Sequence, residues 1–431
     1  MNEVTKQKGK AGGLQNLFRA LSSRNYRLFF TGQGVSVIGT WMQIIAMSWL
    51  VYRLTGSAFL LGIVGFASQL PIFILAPFTG VLIDRYNRQK ILIITQTLAM
   101  LQAFIMAALV LTSTVTVWAI VVVSVFLGLI NSFDMPARQA FVLDVVERRE
   151  DLGNAIALNS SLFNGARLIG PSIGGVIIAA VGEGICFTIN GATFLALIFC
   201  LLAMRLKPPK IEIKESRIWN ELKEGFSYAF GSAPIRYLIL LTAVVSLVGV
   251  PYTVLMPIFA ADILHGDANT LGFLMAASGV GALVGTLYLA AKKSVWGLGR
   301  IVGIAAGIFG AGLILFSLSR FLALSLVWMA LTGFGMIVQI AASNTILQTI
   351  ADDDKRGRIM SIFTMSFIGI APFGSLLAGG AATGIGSPNT LMIGGAICIV
   401  AAIFFFIKFR SLRDTLRSAY AQKSIFYNHP H

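Results

Sequence analysis

The sequence is short of charge. Asp, Glu, Lys and Arg make up 12% of its 431 residues, while 56% are hydrophobic; soluble domains carry roughly 25% charge. That deficit excludes an ordinary soluble domain and marks a polytopic membrane protein. Residues for metal or redox chemistry are scarce too. The three cysteines, Cys186, Cys200 and Cys398, fall inside apolar runs and read as small buried hydrophobes. The three histidines, His265, His429 and His431, show no metal-ligand spacing. There is no Gly-x-x-x-x-Gly-Lys-Ser/Thr loop for a nucleotide, no Gly-x-Ser-x-Gly and no histidine-based catalytic set. An ATP-driven pump would need another subunit. No cofactor, no metal and no enzymatic activity are expected. The net charge of +15 comes from 33 basic and 18 acidic residues. The basic residues are scattered over many turns, which argues against nucleic acid as a partner.

What is present is a series of long apolar runs. A span takes about 20 such residues. Spans are expected near 27–52, 58–82, 90–112, 114–137, 152–180 and 184–204, then near 235–261, 270–291, 299–318, 321–349, 358–384 and 388–408. An even number places both termini on one face. Turns on that face hold Arg85, Arg88, Lys90, Arg138, Arg148, Arg149, Lys292, Lys293, Arg300, Lys355, Arg356 and Arg358; the opposite face has only Arg53 and Arg320. The positive-inside rule makes the termini cytoplasmic.

Five regions follow. Residues 1–26 form a polar, basic cytoplasmic tail, and the first apolar run is too long for a cleaved signal peptide. Two six-helix bundles, 27–204 and 235–408, flank a cytoplasmic linker, 205–234, and residues 409–431 form a second tail. In the linker, Ile218, Trp219, Leu222, Phe226 and Phe230 recur at helical spacing. That stripe predicts an amphipathic helix lying on the membrane face. The halves echo one another weakly: Pro171 and Pro372 both follow a charged turn and both sit among glycines. Two repeated halves suit a transporter with its site between them.

The short turn at 80–90, Gly-Val-Leu-Ile-Asp-Arg-Tyr-Asn-Arg-Gln-Lys, joins two spans as an antiparallel hairpin. Gly80 permits close helix approach, and Asp84 can face a neighbouring helix N-terminus. The spacing Gly-x-x-x-Asp-Arg-x-x-Arg-x-Lys resembles the signature loop between helices 2 and 3 of the major facilitator superfamily, with a departure at Asn87, commonly Gly there. In span 5, Gly170-Pro171-Ser172-Ile173-Gly174-Gly175 puts a helix-bending proline beside a small-residue face. It resembles the Gly-Pro-x-x-Gly-Gly motif of facilitator antiporters, which implies export over uptake. Asn131–Phe141, Arg356–Ser361 and Ala371–Gly374 extend the likeness to the branch of the enterobactin exporter and the macrolide-efflux proteins, over residues 20–410.

The resemblance implies an all-α membrane protein, twelve transmembrane helices in two six-helix bundles, in the cytoplasmic (inner) membrane. It implies alternating-access export of a small amphipathic organic compound, a drug or siderophore, with membrane lipid around it and protons as the coupling partner. Gly80, Asp84, Arg85 and Arg88 would set the cytoplasmic gate, and Gly170, Pro171, Gly174 and Gly175 the packing between halves.

Charges inside a membrane are functional candidates by default. Arg167 lies deepest, with Asp134 a plausible partner; a purely structural ion pair is an equal reading. By resemblance, Asp134 joins Asp84 and Arg88 in a latch coupled to protonation. Span 1 carries a polar stripe of Gln33, Ser36, Thr40 and Gln43 within about a quarter turn. With Gln69, Asn164, Gln339 and Ser343 it is expected to line the substrate cavity, walled by Trp41 and Phe66, although each alone also reads as an interhelical hydrogen bond. Asp352-Asp353-Asp354 mimics a Mg²⁺–diphosphate site, but its place before a span predicts helix capping. Lysophospholipid movement by the same fold, a membrane-embedded enzyme and a non-transporting receptor are the alternatives.

Overall fold

The computed structural model describes residues 18–206, 218–292, 297–352 and 355–422. Among them there is no strand, because backbone in lipid must satisfy its polar groups within its own helix. Twelve helices are long and apolar enough to cross a membrane. Spans 1 to 6 are Arg24–Thr55, Ala58–Arg85, Arg88–Leu111, Val117–Val145, Leu152–Val181 and Glu183–Ala203. Spans 7 to 12 are Ala233–Ile263, Ala268–Ala290, Leu298–Leu318, Leu322–Ile350, Arg356–Ile385 and Ser387–Gln422. We call the face carrying the termini the terminal face and the other the distal face.

Local signals punctuate the chain. Span 1 stops at Gly56, whose left-handed φ of +57° costs least for a residue without a Cβ. Asn87 caps span 3 by accepting from the Lys90 N–H at 3.1 Å. The position that departs from the family pattern therefore has a structural use here. Asp267 caps span 8 through the Asn269 and Thr270 N–H groups at 3.0 and 3.2 Å.

Two boundaries and two span interiors differ from the expectation. Span 4 runs to Val145, past Pro136. Its last turns stay helical because Ala137, Phe141, Val142 and Val145 are buried on the bundle. Span 12 continues to Gln422, since the sequence beyond residue 408 keeps good helix formers and has no Gly or Pro until Pro430. Spans 7 and 11 hold π-helical segments at Val245–Gly249, Phe259–Ile263 and Met365–Gly369. The Ser246 hydroxyl donates to the Phe367 carbonyl, tying two of these widened turns together.

The linker helix is Ile218–Gly231. It rests on the start of span 11 through Arg358 to Glu224, and through the Tyr228 hydroxyl to Asp352 at 2.9 Å. Asp352 therefore does not cap span 11 as the sequence suggested; the N-cap there is Lys355, without a side-chain bond. Asp353 and Asp354 lie outside the described residues, as do the side chains of Ile218, Trp219 and Leu222. Phe226 and Phe230 stack on each other and stay exposed.

Spans 1 to 6 pack as one set and spans 7 to 12 as another. Two seams join the sets, span 5 on span 8 and span 2 on span 11. Both close backbone to backbone near the distal face. A Cβ on Gly175 would lie 2.6 Å from the Ala268 carbonyl oxygen and 3.1 Å from the Gly272 Cα. One on Gly62 would lie 2.7 Å from the Ser375 carbonyl oxygen and 3.1 Å from the Gly379 Cα. Small residues let helices meet this closely in lipid, where no hydrophobic effect drives them together.

Candidate functional site

The seams decide where the halves part. Leu168, Pro171 and Gly175 form one stripe of span 5 that lies on span 8. At helical spacing the same stripe continues toward the terminal face through Asn164, Ser161 and Ala157. There Ala157, Ser160 and Ser161 are exposed, and Asn164 is half-buried. One helix face is thus sealed against the other half at the distal end and open at the terminal end. On the other half, span 10 presents exposed Thr345 and Gln348, with Gln348 donating to Asn344 at 3.0 Å. Both polar faces are left unpacked at the terminal ends of their spans, as the walls of a cleft open on that face would be. Gly153 and Gly357, at the terminal starts of spans 5 and 11, have nothing within 4 Å of a built Cβ.

The distal end carries its own tie. The Tyr52 hydroxyl at the end of span 1 donates to the Asp262 carboxylate on span 7, so this bond crosses between halves. Beside it, Arg53 forks onto Glu183 at 2.7 and 3.2 Å, joining spans 1 and 6 within one half. Neither Tyr52 nor Asp262 was singled out by sequence, and a pair so far apart in the chain leaves no local signal.

At the terminal hairpin, Arg88 reaches Asp144 at the end of span 4, at 2.9 Å. Arg85 is exposed. The Asp84 side chain and the surroundings of Gly80 lie outside what the structure describes.

Asp134 is buried among donors of its own half. Thr95 and Gln96 on span 3 donate to its Oδ1 at 2.8 and 2.6 Å, and Arg138 grips its Oδ2 through Nε at 3.1 Å and through Nη2. The pairing with Arg167 is therefore not made, and Arg88 pairs with Asp144 instead of joining Asp134. Arg138 stands one turn along the same helix, where an oppositely charged side chain meets it without crossing any interface. That i, i+4 spacing was readable in the sequence.

The polar stripe of span 1 points away from the expected cavity. Gln33 and Ser36 are 0% exposed and Gln43 is 3% exposed. Gln33 donates to Asn159 at 2.9 Å, Ser36 to Gln96 at 3.3 Å, and Gln43 to Gln102 at 2.8 Å, while Asn190 donates to Gln43 at 2.5 Å. Amides buried in an apolar bundle seek one another, and spans 3, 5 and 6 supply the partners. Thr40, half-buried, bonds back to the Ser36 carbonyl at 2.9 Å. Gln339 and Ser343 are likewise interior, with Gln339 donating to Thr242 at 3.1 Å and to Ser343 at 3.4 Å. Gln69 sits on the seam stripe of span 2 and Asn164 on the open stripe of span 5. Both are half-buried.

Two features meet between the halves. Phe66 and Phe73 of span 2 close edge-on against Phe373 of span 11, at 5.8 and 5.5 Å between centroids. Arg167 lies over the Trp41 ring, 5.7 Å from its centroid. Gly170 and Gly174 press span 5 onto span 1 at Trp41 and Met42, inside one half; Gly175 and the Pro171 carbonyl meet Gly272 and its neighbours across the seam. The motif thus serves packing within a half and between halves. Among the described residues no group of three His, Cys, Asp or Glu side chains could hold a metal ion.

The comparisons agree with this architecture. The chain is 27% identical to the staphyloferrin A transporter of Staphylococcus aureus, over 88% of this chain and 95% of that protein. It is 26% identical to the multidrug efflux pump Tap of Mycolicibacterium fortuitum, over 82% and 88%. It shares its fold with a bacterial homologue of the human lysosomal transporter Spinster, solved inward-facing and unoccupied, at a TM-score of 0.68 and 15% identity over 91% and 98% of the two chains. The family described as transmembrane secretion effector matches residues 16–428, nearly the whole sequence. The protein belongs to that family, and is a multi-pass membrane transporter of the major facilitator kind.

Proposed function

We propose that the protein exports a small amphipathic organic compound, a drug or a siderophore, by alternating access with proton antiport. The observation that carries the reading is the span 5 stripe, sealed at one end and open at the other. A cleft with a single mouth, between two six-helix halves, is half of an alternating-access cycle. The basic turns make the terminal face cytoplasmic, so cargo enters the cleft from the cytoplasm. Relatives that carry a siderophore and drugs support the cargo class.

In the cycle the bundles 27–204 and 235–408 rock about the two seams. The distal seam and the Tyr52–Asp262 tie open, and the terminal ends of spans 5 and 10 close. Gly80, Asp84, Arg85 and Arg88 form the terminal gate in this reading, with Asp144 holding Arg88 while the gate is open. Asp134 is the coupling carboxylate. A proton on it would release Arg138 and loosen the contact of span 4 with span 3.

The test is purified protein in liposomes under an imposed pH gradient, with lumenal pH followed while siderophores, macrolides and dyes are added. Substrate-dependent proton movement that is lost in Asp134→Asn supports the coupling. Proton movement unchanged in that variant removes Asp134 from the mechanism, and cargo transport without proton movement removes antiport.

A further inference from the structure

The charges inside the spans do not balance at the cleft. Up to Lys408, where the apolar part of span 12 ends, the carboxylates within the spans are Asp84, Asp134, Asp144, Glu183 and Asp262. Four have partners already: Arg138 for Asp134, Arg88 for Asp144, Arg53 for Glu183 and the Tyr52 hydroxyl for Asp262. Asp84 stands at the terminal end of span 2, while Arg167 stands at the middle of span 5. Among the described residues, Arg167 forms no ion pair and donates no hydrogen bond; its contact is the Trp41 ring. A ring stacked on a guanidinium covers one face and leaves the N–H edges free. Those edges are a fork shaped for a carboxylate.

Its place in the fold aims that fork at cargo. On span 5, Arg167 lies between the face that packs on span 1 (Gly170 and Gly174) and the stripe that carries Asn164 and Pro171. Just above it, Gly279 of span 8 meets the Arg167 carbonyl and Leu168, which closes the apex of the cleft. A half-buried cation at the blind end of a membrane cleft favours an anion, because low-dielectric walls strengthen the attraction.

We infer that Arg167, lying over the Trp41 ring, is the recognition point for a carboxylate on the exported compound. The inference rests on the export reading of this cleft and names its cargo as an amphipathic organic anion. Neutral and cationic compounds of similar body would lack the contact.

The test uses the full-length protein in nanodiscs with two xanthene dyes, anionic carboxyfluorescein and cationic rhodamine 6G, read by fluorescence polarisation. Carboxyfluorescein is expected to bind more tightly, and Arg167→Gln to weaken it by at least about tenfold. Rhodamine 6G binding should be unchanged. Arg167→Lys keeps the charge but not the fork and should fall between. It also covers the case in which the glutamine variant does not fold. Dodecanoate should displace the dye. No carboxyfluorescein binding, parallel loss of both dyes in Arg167→Gln, or displacement by lysophosphatidic acid and not by dodecanoate would each overturn the assignment. Dye uptake into proteoliposomes separates the two levels. Uptake that ignores Arg167 leaves export standing and removes the site. Arg167-dependent binding without uptake keeps the site and removes export.

Discussion

Replacing Gly175 by Leu is expected to abolish transport while leaving both bundles folded. Even a methyl on this residue would sit 2.6 Å from the Ala268 carbonyl oxygen and 3.1 Å from the Gly272 Cα, and backbone cannot swing aside as a side chain can. Overpacking costs about 1–3 kcal/mol even where neighbours yield. A shift of about 3 kcal/mol moves a two-state population more than a hundredfold. The distal seam would then stay parted, and a cysteine placed beside it would react with an impermeant thiol reagent from the distal side. Gly153→Ala is the control, since nothing lies within 4 Å of its built Cβ. It should transport normally. Normal transport by Gly175→Leu would mean that this seam does not have to close.

The second large effect is on stability. Asp134→Ala should destabilise the protein by about 3–5 kcal/mol, the range for breaking one side of a buried ion pair. The variant leaves Arg138, whose side chain is 11% exposed, without its anion and takes an acceptor from both Thr95 and Gln96. Thermal unfolding in detergent measures the loss. Removing Arg138 as well, as Asp134→Ala with Arg138→Met, should recover a large part of it, because no charge is then buried alone. A single variant within about 1 kcal/mol of the parent would contradict the buried pair.

Spans and their number were legible because hydrophobic run length and helical period are local signals. The span 1 stripe shows the limit. Its period gives a polar face correctly, but Gln33, Ser36 and Gln43 turn toward Gln96, Gln102, Asn159 and Asn190 rather than toward the cleft. Which neighbour a face meets is set by packing among spans far apart in sequence. For the same reason the sequence offers Arg167, a membrane charge of opposite sign, as a partner for Asp134, although Arg138 stands four residues away. The π-helical turns of spans 7 and 11 were not foreseen, since they depend on cross-helix bonds such as Ser246 to Phe367. Gly62 and Gly379 carry no signal of their own in the sequence, because single glycines are common in membrane helices; only their meeting makes them a seam.

Alternating access requires the seam between spans 2 and 11 to part in every turnover. Gly65 and Ser375 face each other there, with a built Cβ on Gly65 lying 3.2 Å from the Ser375 Cβ. That is close to the roughly 3.5–4.5 Å a disulfide needs. With Cys186, Cys200 and Cys398 replaced, the pair Gly65→Cys and Ser375→Cys can be oxidised and reduced in liposomes during transport. Transport is predicted to stop on oxidation and return on reduction. Transport that continues with the disulfide formed would contradict a mechanism in which these two halves rock apart.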